Sequence, residues 1–229
     1  MAMTDKIRIQ KYLSNKGLCS RRKAEEFILK GFVKLNGQVV TKLGTTCNPE
    51  IDKVELTQQA KDVISKFTYI KYYKPRGIVT HSPQENEQSI SDVIDPKYAH
   101  CAPIGRLDKD SEGLILLSND GVFAKNCLSH VNPHQRDYEI KVSKPLSDEA
   151  IEELEEGVLI LGKQTLPCKL KKLAPLRYKI TLYEGKNRQV RRMIQHVGNM
   201  VVKLKRVQFG PIKLSSLKPN ECKEIIPFK

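Results

Sequence analysis

The chain has 229 residues, six cysteines and a formal net charge of +14. A mean hydropathy of −0.44 and the lack of any run of about 18 apolar residues argue against a membrane-spanning helix. MAMTDKIRIQ lacks the apolar core of a secretory signal, so we expect a cytoplasmic protein. The cysteines are scattered without a C-x-x-C pair, which disfavours a zinc site and indicates reduced thiols.

The N-terminal residues predict a small module of two helices and a hairpin. RIQKYLSNKG spaces apolar residues at helical intervals, and Ser20 is positioned to cap a second helix, RRKAEEFILKG. VKLNGQVV alternates around Asn36 and Gly37, a pattern typical of a two-residue β-hairpin, and KVELT predicts a further strand. We therefore expect one domain at residues 1–57, followed by a linker at residues 58–66.

Strands predominate in the rest of the chain, with helices between some of them. Ser147 is positioned to cap an acidic helix that ends at Gly157. Strands mixed with isolated helices, without strict alternation, predict an α+β fold with a mainly antiparallel sheet. The predicted strands are TYIKYY, EGLILLS, DYEIKV, YKITLYE and MVVKLKRVQF.

The positive charge is concentrated in two segments. Residues 169–206 contain twelve Lys and Arg against one acid, and residues 1–60 contain eleven against six. Residues 145–160, by contrast, contain six acids and no base. Charge separated in this way indicates a polyanionic partner, and nucleic acid is favoured over a membrane surface because no basic helix carries a large aromatic face.

The second helix begins with Arg21, Arg22 and Lys23, which the helix dipole disfavours at that end. A bound phosphate would relieve this conflict. A solvated charged face is the alternative, and the overall charge of the chain favours contact with RNA or DNA.

The segment EGKNRQVRRMIQHVG predicts a helix with two distinct faces. The apolar face consists of Val190, Met193, Ile194 and Val197. The other face consists of Arg188, Arg191, Arg192 and Gln195. Guanidinium groups bind phosphate or carboxylate through paired hydrogen bonds, so this face is suited to an anionic ligand.

Asp108 and Asp110 lie in GRLDKDSEGLILLSNDG, directly before an apolar strand and beside Arg106. They form either surface ion pairs at a turn or a carboxylate kept ionised for chemistry. His130 and His134 have the i, i+4 spacing of metal ligands, but with no third ligand nearby the sequence favours loop or surface histidines.

Four segments carry a resemblance to a known family. GRLDKDSEGLILLSNDG resembles the signature of the RsuA/RluB/RluE/RluF family of RNA pseudouridine synthases, and YKPRGIVT, with Lys74, Pro75 and Gly77, is similar to its first motif. RDYEIKV is similar to its tyrosine motif, and EGKNRQVRRM followed by VKLKR to its third. CSRRKAEEFILKGFVKLNG resembles the alpha-L RNA-binding module named after ribosomal protein S-four, and GVLILGKQTLPCKLKKLAP is most similar to the RluF branch.

The resemblance implies a ribosomal-protein-S-four-like RNA-binding domain at residues 1–57 and a pseudouridine synthase domain at residues 67–229, with a mainly antiparallel mixed sheet flanked by helices. Such an enzyme detaches uracil from its ribose, turns it and rejoins it through carbon 5, without metal or redox cofactor. We expect a monomer that modifies 23S ribosomal RNA near the peptidyl-transferase centre. The alternatives are 16S ribosomal RNA or transfer RNA as substrate, and a ribosome-associated RNA-binding protein without activity. A metal-dependent nuclease using Asp108 and Asp110 would need further clustered carboxylates.

The resemblance also assigns roles in catalysis. Asp108 is the catalytic carboxylate, which either attacks the anomeric carbon or removes a proton from the neighbouring ribose carbon. Arg191 keeps it ionised, since a nearby guanidinium opposes the effect of desolvation. Tyr138 lies against the uracil ring, Leu204 lines the pocket, and Arg106 occupies the gap left by the flipped base.

Base flipping costs a few kcal/mol of unstacking free energy, which phosphate contacts offset. The residues expected to contact RNA in addition to Arg106 and Leu204 are Lys74, Arg188 and Arg192 in the catalytic domain, and Arg8, Arg21, Arg22, Lys23 and Asn36 in the N-terminal domain.

Overall fold

A computed structural model describes residues 6–129 and 131–228. In these residues it contains seven α-helices, sixteen strands and one 3₁₀ turn, Pro96–Tyr98. The helices α1 to α7 are Ile9–Asn15, Arg21–Leu29, Gln58–Ile64, Ile90–Val93, Gly121–Cys127, Asp148–Glu156 and Gln189–His196. The strands β1 to β16 are Ile7–Arg8, Val33–Leu35, Gln38–Val40, Thr46–Cys47, Val54–Leu56, Tyr69–Lys74, Ala102–Ile104, Glu112–Ser118, Arg136–Val142, Leu159–Ile160, Lys163–Gln164, Lys169–Ala174, Arg177–Leu182, Val201–Phe209, Ile212–Lys213 and Cys222–Glu224.

The described chain divides into two compact units. The first consists of residues 6–68 and 118–126, and the second of residues 69–117 and 127–228. Each unit has its own hydrophobic core, one built around α1 and α2 and the other around the large sheet.

The first unit has the predicted order of helix, helix and hairpin. The hydroxyl of Ser20 accepts a hydrogen bond from the Lys23 amide at 3.2 Å, as a helix cap. Strands β2 and β3 are joined by Asn36 and Gly37, whose φ angles of 51° and 83° match the left-handed turn that such hairpins use. Strand β5 pairs with β2 and completes a three-stranded sheet.

The segment predicted as a linker, residues 58–66, has a different structure. Residues Gln58–Ile64 form α3, in which Ala60 is fully buried and belongs to the core around α1 and α2. The polar residues of QQAKDVISK lie on the solvent side of this short helix. A linker has a similarly polar composition, and for this reason the sequence alone predicted one. The prediction of a linker is therefore wrong for this helix.

The second unit is built on a nine-stranded sheet with the order β12-β13-β9-β14-β8-β6-β16, in which β15 pairs with β14 and β7 with β8. Strand β9 lies antiparallel between β13 and β14, whereas β14 runs parallel to β8. The predicted α+β class with a mainly antiparallel mixed sheet is confirmed.

The parallel contact between β8 and β14 depends on Gly113. Gly113 pairs with Arg206 and has a φ of +106°, which side chains rarely adopt. A Cβ at this position would lie 2.3 Å from the Arg206 carbonyl oxygen and 2.8 Å from its nitrogen. The two backbones can approach this closely only because residue 113 has no side chain.

Helices α6 and α7 follow the patterns in the sequence. Ser147 caps α6 through the Ala150 amide, and Gly157 follows its last residue with a φ of +102°. Val190, Met193 and Ile194 of α7 are buried in the core of the second unit. None of the helices in the described residues combines the length and the apolar character needed to cross a membrane.

Candidate active site

A cavity of about 310 Å³ lies over the sheet of the second unit. Its floor includes Arg136 and Tyr138 from β9 and Leu204 and Arg206 from β14. Residues two apart on a strand share one face, and Tyr138 pairs directly with Arg206 across the two strands. The walls are the loop between β7 and β8, which carries Asp108, and the loop before α7.

The loop that carries Asp108 is fixed by the chain that follows β6. The hydroxyl of Thr80 donates to the Leu107 carbonyl oxygen at 2.7 Å and accepts from the Leu107 amide at 2.9 Å. The Gly77 amide donates to the Lys109 carbonyl oxygen at 2.9 Å. The residues of YKPRGIVT therefore hold the backbone on both sides of Asp108.

Lys74 has a structural position. Its side chain is fully buried, and its ammonium donates to the carbonyl oxygens of Pro75, Ile78 and Ser111 at 2.7 to 2.9 Å. Burial lowers the pKa of Lys74 to about 8. The prediction that Lys74 contacts RNA is wrong for this structure, because all three donors point to main-chain oxygens inside the fold.

Asp108 lines the cavity with its side chain 24% exposed. Its Oδ2 lies 3.5 Å from Nη1 of Arg188, the residue directly before α7. Arg188 has a left-handed backbone with φ 49° and ψ 34°. The amide of Gln189 supports this loop: its Oε1 accepts from the Lys186 amide at 2.8 Å, and its Nε2 donates to Glu184 at 2.7 Å.

Arg191, the predicted partner of Asp108, lies close by but makes other contacts. Its guanidinium donates to the carbonyl oxygens of Val201 and Asp110 at 3.2 Å and lies 3.4 Å from the Ser111 hydroxyl. Burial lowers its pKa and the cation of Arg188 adds to this effect, while the charge of Asp108 opposes it. In the described residues, Asp108 thus forms its ion pair with Arg188, and Arg191 ties α7 to the backbone after Asp108.

Three further predicted residues line the same cavity. Tyr138 and Leu204 are buried on its floor, and Arg106 is exposed beside Asp108. Arg192 instead turns back onto its own loop, where it donates to the main-chain and side-chain oxygens of Asn187 at 3.1 and 3.3 Å. It shapes the cavity wall rather than its interior.

The predicted RNA contacts of the first unit differ among themselves. Arg8, Arg21 and Arg22 are exposed. Lys23 forms an ion pair with Glu26 at 2.8 Å. Asn36 is used inside the protein, because its amide donates to Asp52 at 2.9 Å and accepts from the Lys53 amide at 2.8 Å. Asn36 therefore has a role in the turn, and because its side chain is exposed, its contact with RNA stays a prediction.

Comparison with known proteins gives the family. The family model described as RNA pseudouridylate synthase matches residues 68–196, more than half of the chain. The chain belongs to this family. A model of the S4 domain matches residues 7–50.

This pseudouridine synthase is similar to other pseudouridine synthases over nearly its whole length. It is 39% identical to the dual-specificity RNA pseudouridine synthase RluF of Shigella flexneri, over 96% of this chain and 75% of the relative. It is 35% identical to the ribosomal large subunit pseudouridine synthase B of Bacillus subtilis, over 96% and 92%. A crystal structure of a pseudouridylate synthase superposes with a TM-score of 0.70 at 28% identity and 96% coverage of both chains. The predicted family, enzyme class and RNA-binding domain are confirmed.

The pseudouridine synthase cavity also contains residues that were not predicted from the sequence. Arg136 and Arg206 line it and are 8% and 3% exposed, with Phe209 and Glu184 beside them. Arg136 lies two residues before Tyr138 on one strand, so the two-residue period of a strand would have placed it on the same face. Arg206 lies two residues after Leu204 on β14, so the same period places these two side chains on one face.

No group of three or more His, Cys, Asp and Glu residues suited to a metal ion occurs in the described part of this chain. His130, one of the two histidines with metal-ligand spacing, lies outside the described residues.

Proposed function

We propose that this enzyme converts uridines of 23S ribosomal RNA near the peptidyl-transferase centre to pseudouridine, with Asp108 as the catalytic carboxylate. The names of its relatives support a ribosomal substrate: one acts on the large ribosomal subunit and another is a dual-specificity RNA enzyme. The net charge of +14 is suited to binding a large polyanion such as ribosomal RNA.

The position of Asp108 is the observation that carries this proposal. A carboxylate on a tightly held loop faces the same cavity as Tyr138 and lies 3.5 Å from a guanidinium. The contact with Arg188 places a positive charge beside the carboxylate at the edge of the cavity.

The reaction breaks the bond between N1 of uracil and C1′ of ribose, forms a bond from C1′ to C5, and releases the hydrogen of C5. Asp108 acts at the sugar, either on C1′ or on the proton of the neighbouring carbon. Tyr138 and Leu204 hold the detached base against the sheet, so that it turns without leaving. Arg106, exposed at the cavity mouth, fills the gap in the RNA stack.

The test is Asp108→Asn, assayed by release of tritium from RNA that carries [5-³H]uridine. We expect turnover to fall by at least about 10³-fold, since the amide can neither attack nor accept the proton. The affinity of the variant for RNA should stay within a few-fold of that of the unsubstituted protein. The urea concentration at the midpoint of unfolding should be unchanged. Asp110→Asn is the matched control, because its side chain is exposed and only its carbonyl oxygen is used. Retained turnover in Asp108→Asn would remove the assigned role.

The substrate is tested by mapping pseudouridines in 23S and 16S ribosomal RNA and in transfer RNA from cells with and without this protein. We expect the loss of one or a few sites in 23S RNA near the peptidyl-transferase centre. Loss confined to 16S or transfer RNA would move the activity to that substrate. An unchanged map would favour a ribosome-associated RNA-binding protein without activity.

A further inference from the structure

Arg136 and Arg206 form a pair of buried cations on the cavity floor. They lie on neighbouring strands, β9 and β14, and their guanidinium carbons are 5.2 and 5.6 Å from the ring centroid of Phe209. The guanidinium of Arg136 also lies against Gly185, where a Cβ would be 3.9 Å from its central carbon. Both side chains are thus held in place by packing.

The described part of the protein offers this pair no countercharge. In residues 6–129 and 131–228, neither guanidinium has a carboxylate oxygen within the 4.0 Å of an ion pair. Nε of Arg206 donates to the Leu114 carbonyl oxygen at 2.6 Å, but its Nη2 is enclosed without a hydrogen-bond partner in the described residues. Burial lowers the pKa of Arg136, and the neighbouring Arg206 cation acts in the same direction.

Glu184 is the nearby acid, but it is engaged elsewhere. Its carboxylate accepts from Lys186, from the Leu166 amide at 2.9 Å and from Gln189 at 2.7 Å. These donors fix it in the loop before α7. The charge of the two arginines therefore stays available to a ligand that enters the cavity.

Two like charges out of water are unfavourable unless an anion joins them. We propose that Arg136 and Arg206 form an anion subsite for a phosphodiester of the RNA, next to the nucleotide whose ribose faces Asp108. This assignment rests on the proposed function, because it takes the reacting nucleotide to occupy the same cavity. Phosphate matches the fork of a guanidinium, and every ribose within an RNA chain is flanked by two phosphodiesters.

The first test detects the subsite without any catalysis. The Nε–H of Arg206 is held by the Leu114 carbonyl oxygen, so its ¹⁵N resonance is a reporter inside the cavity. We expect saturable shifts with inorganic phosphate and with uridine 5′-monophosphate, and none with uridine. In Arg136→Gln the dissociation constant for inorganic phosphate should rise at least tenfold. An equal response to uridine, or unchanged phosphate binding in the variant, would overturn the subsite.

The second test separates a phosphodiester of RNA from free phosphate. RNA affinity is measured in the Asp108→Asn background, for the RNA containing the mapped uridine, with either a natural or a neutral methylphosphonate linkage beside that uridine. We expect the neutral linkage to weaken binding at least tenfold with Arg136 present and less than twofold in Arg136→Gln. The matched control is Arg177→Gln, an exposed arginine paired with Glu139, which should keep the tenfold effect.

Arg206→Gln is a second variant, and the midpoint of its unfolding in urea shows whether it folds. If the neutral linkage binds as well as the natural one, the phosphodiester assignment is wrong even when Asp108 is catalytic. If Asp108→Asn retains turnover, the proposed role of Asp108 fails, while both binding tests still report on the two arginines.

Discussion

Arg188 and Arg191 lie three residues apart and make different contacts around Asp108. Arg188 is 41% exposed and reaches the carboxylate. Arg191 donates to two carbonyl oxygens and holds α7 to the loop that carries Asp108. The first acts on charge in the cavity, and the second acts on the geometry of its wall.

This division gives opposite expectations for two substitutions. Arg188→Gln should lower turnover about tenfold, equivalent to about 1.4 kcal/mol of activation free energy, and leave the unfolding free energy within about 0.5 kcal/mol. Arg191→Lys should lower the unfolding free energy by about 1–3 kcal/mol, because a lysine cannot reach both carbonyl oxygens. Urea titration and tritium release measure the two quantities. The reverse pattern would mean that the two arginines have exchanged roles.

At the residue scale, the sequence identified some of the residues that line the cavity. Asp108, Tyr138 and Leu204 were expected from motif resemblance and do line one cavity. Lys74 was misassigned, because a lysine in a basic protein looks exposed in sequence. Its burial and its contacts with main-chain oxygens depend on chain segments that only the fold brings together.

At the scale of elements, the contact between β8 and β14 is the most sensitive to substitution. Gly113→Ala should lower the unfolding free energy by about 3 kcal/mol or more, since the new methyl group meets backbone atoms that cannot move aside. Turnover should fall as well, because Arg206 would be displaced with its strand. Denaturant unfolding and tritium release would show both effects.

Gly162→Ala is the matched control for this substitution. Gly162 also has a positive φ, +70°, but nothing lies within 4 Å of the position that an added methyl group would take. Only the backbone cost of about 1–2 kcal/mol should remain, with turnover unchanged. Equal losses in both variants would show that backbone conformation, and not close approach, is the reason for glycine at position 113.

Local sequence patterns predicted the elements well, and their pairing less well. The hairpin at Asn36 and Gly37, the cap at Ser20 and the apolar face of α7 each depend on neighbouring residues, and all three were expected. The parallel pairing of β8 with β14 joins distant segments, and no local pattern contains it. Helix α3 was missed because it is short and mostly polar, although Ala60 and Ile64, four residues apart, both pack on the core around α1 and α2.

At the scale of the whole molecule, the net charge of +14 makes the binding of the enzyme to RNA depend on the salt concentration. Each phosphate that a cation neutralises on single-stranded RNA steepens the salt dependence of binding by a slope of about 0.7. Exposed arginines of the first unit, Arg21 and Arg22, are suited to this role, and they lie outside the catalytic cavity.

The double variant Arg21→Gln/Arg22→Gln should reduce the slope of log Kd against log salt by about 1.4, and leave turnover at saturating RNA unchanged. Lys144→Gln/Lys163→Gln removes the same charge at the two ends of the acidic segment 145–160, so it should change the slope by far less. Filter binding over a range of salt concentrations measures both slopes. Identical slopes in the two double variants would mean that net charge alone, without local contact, governs binding.

The parallel pairing of β8 with β14 has a consequence for the order of assembly during synthesis. Glu112 and Gly113 leave the ribosome more than 90 residues before their partners, Lys205 and Arg206. Contacts between segments so far apart form late. The nascent chain therefore carries Asp108 for some time without the strand that completes the pocket, and the pocket forms only after Arg206 has been synthesised.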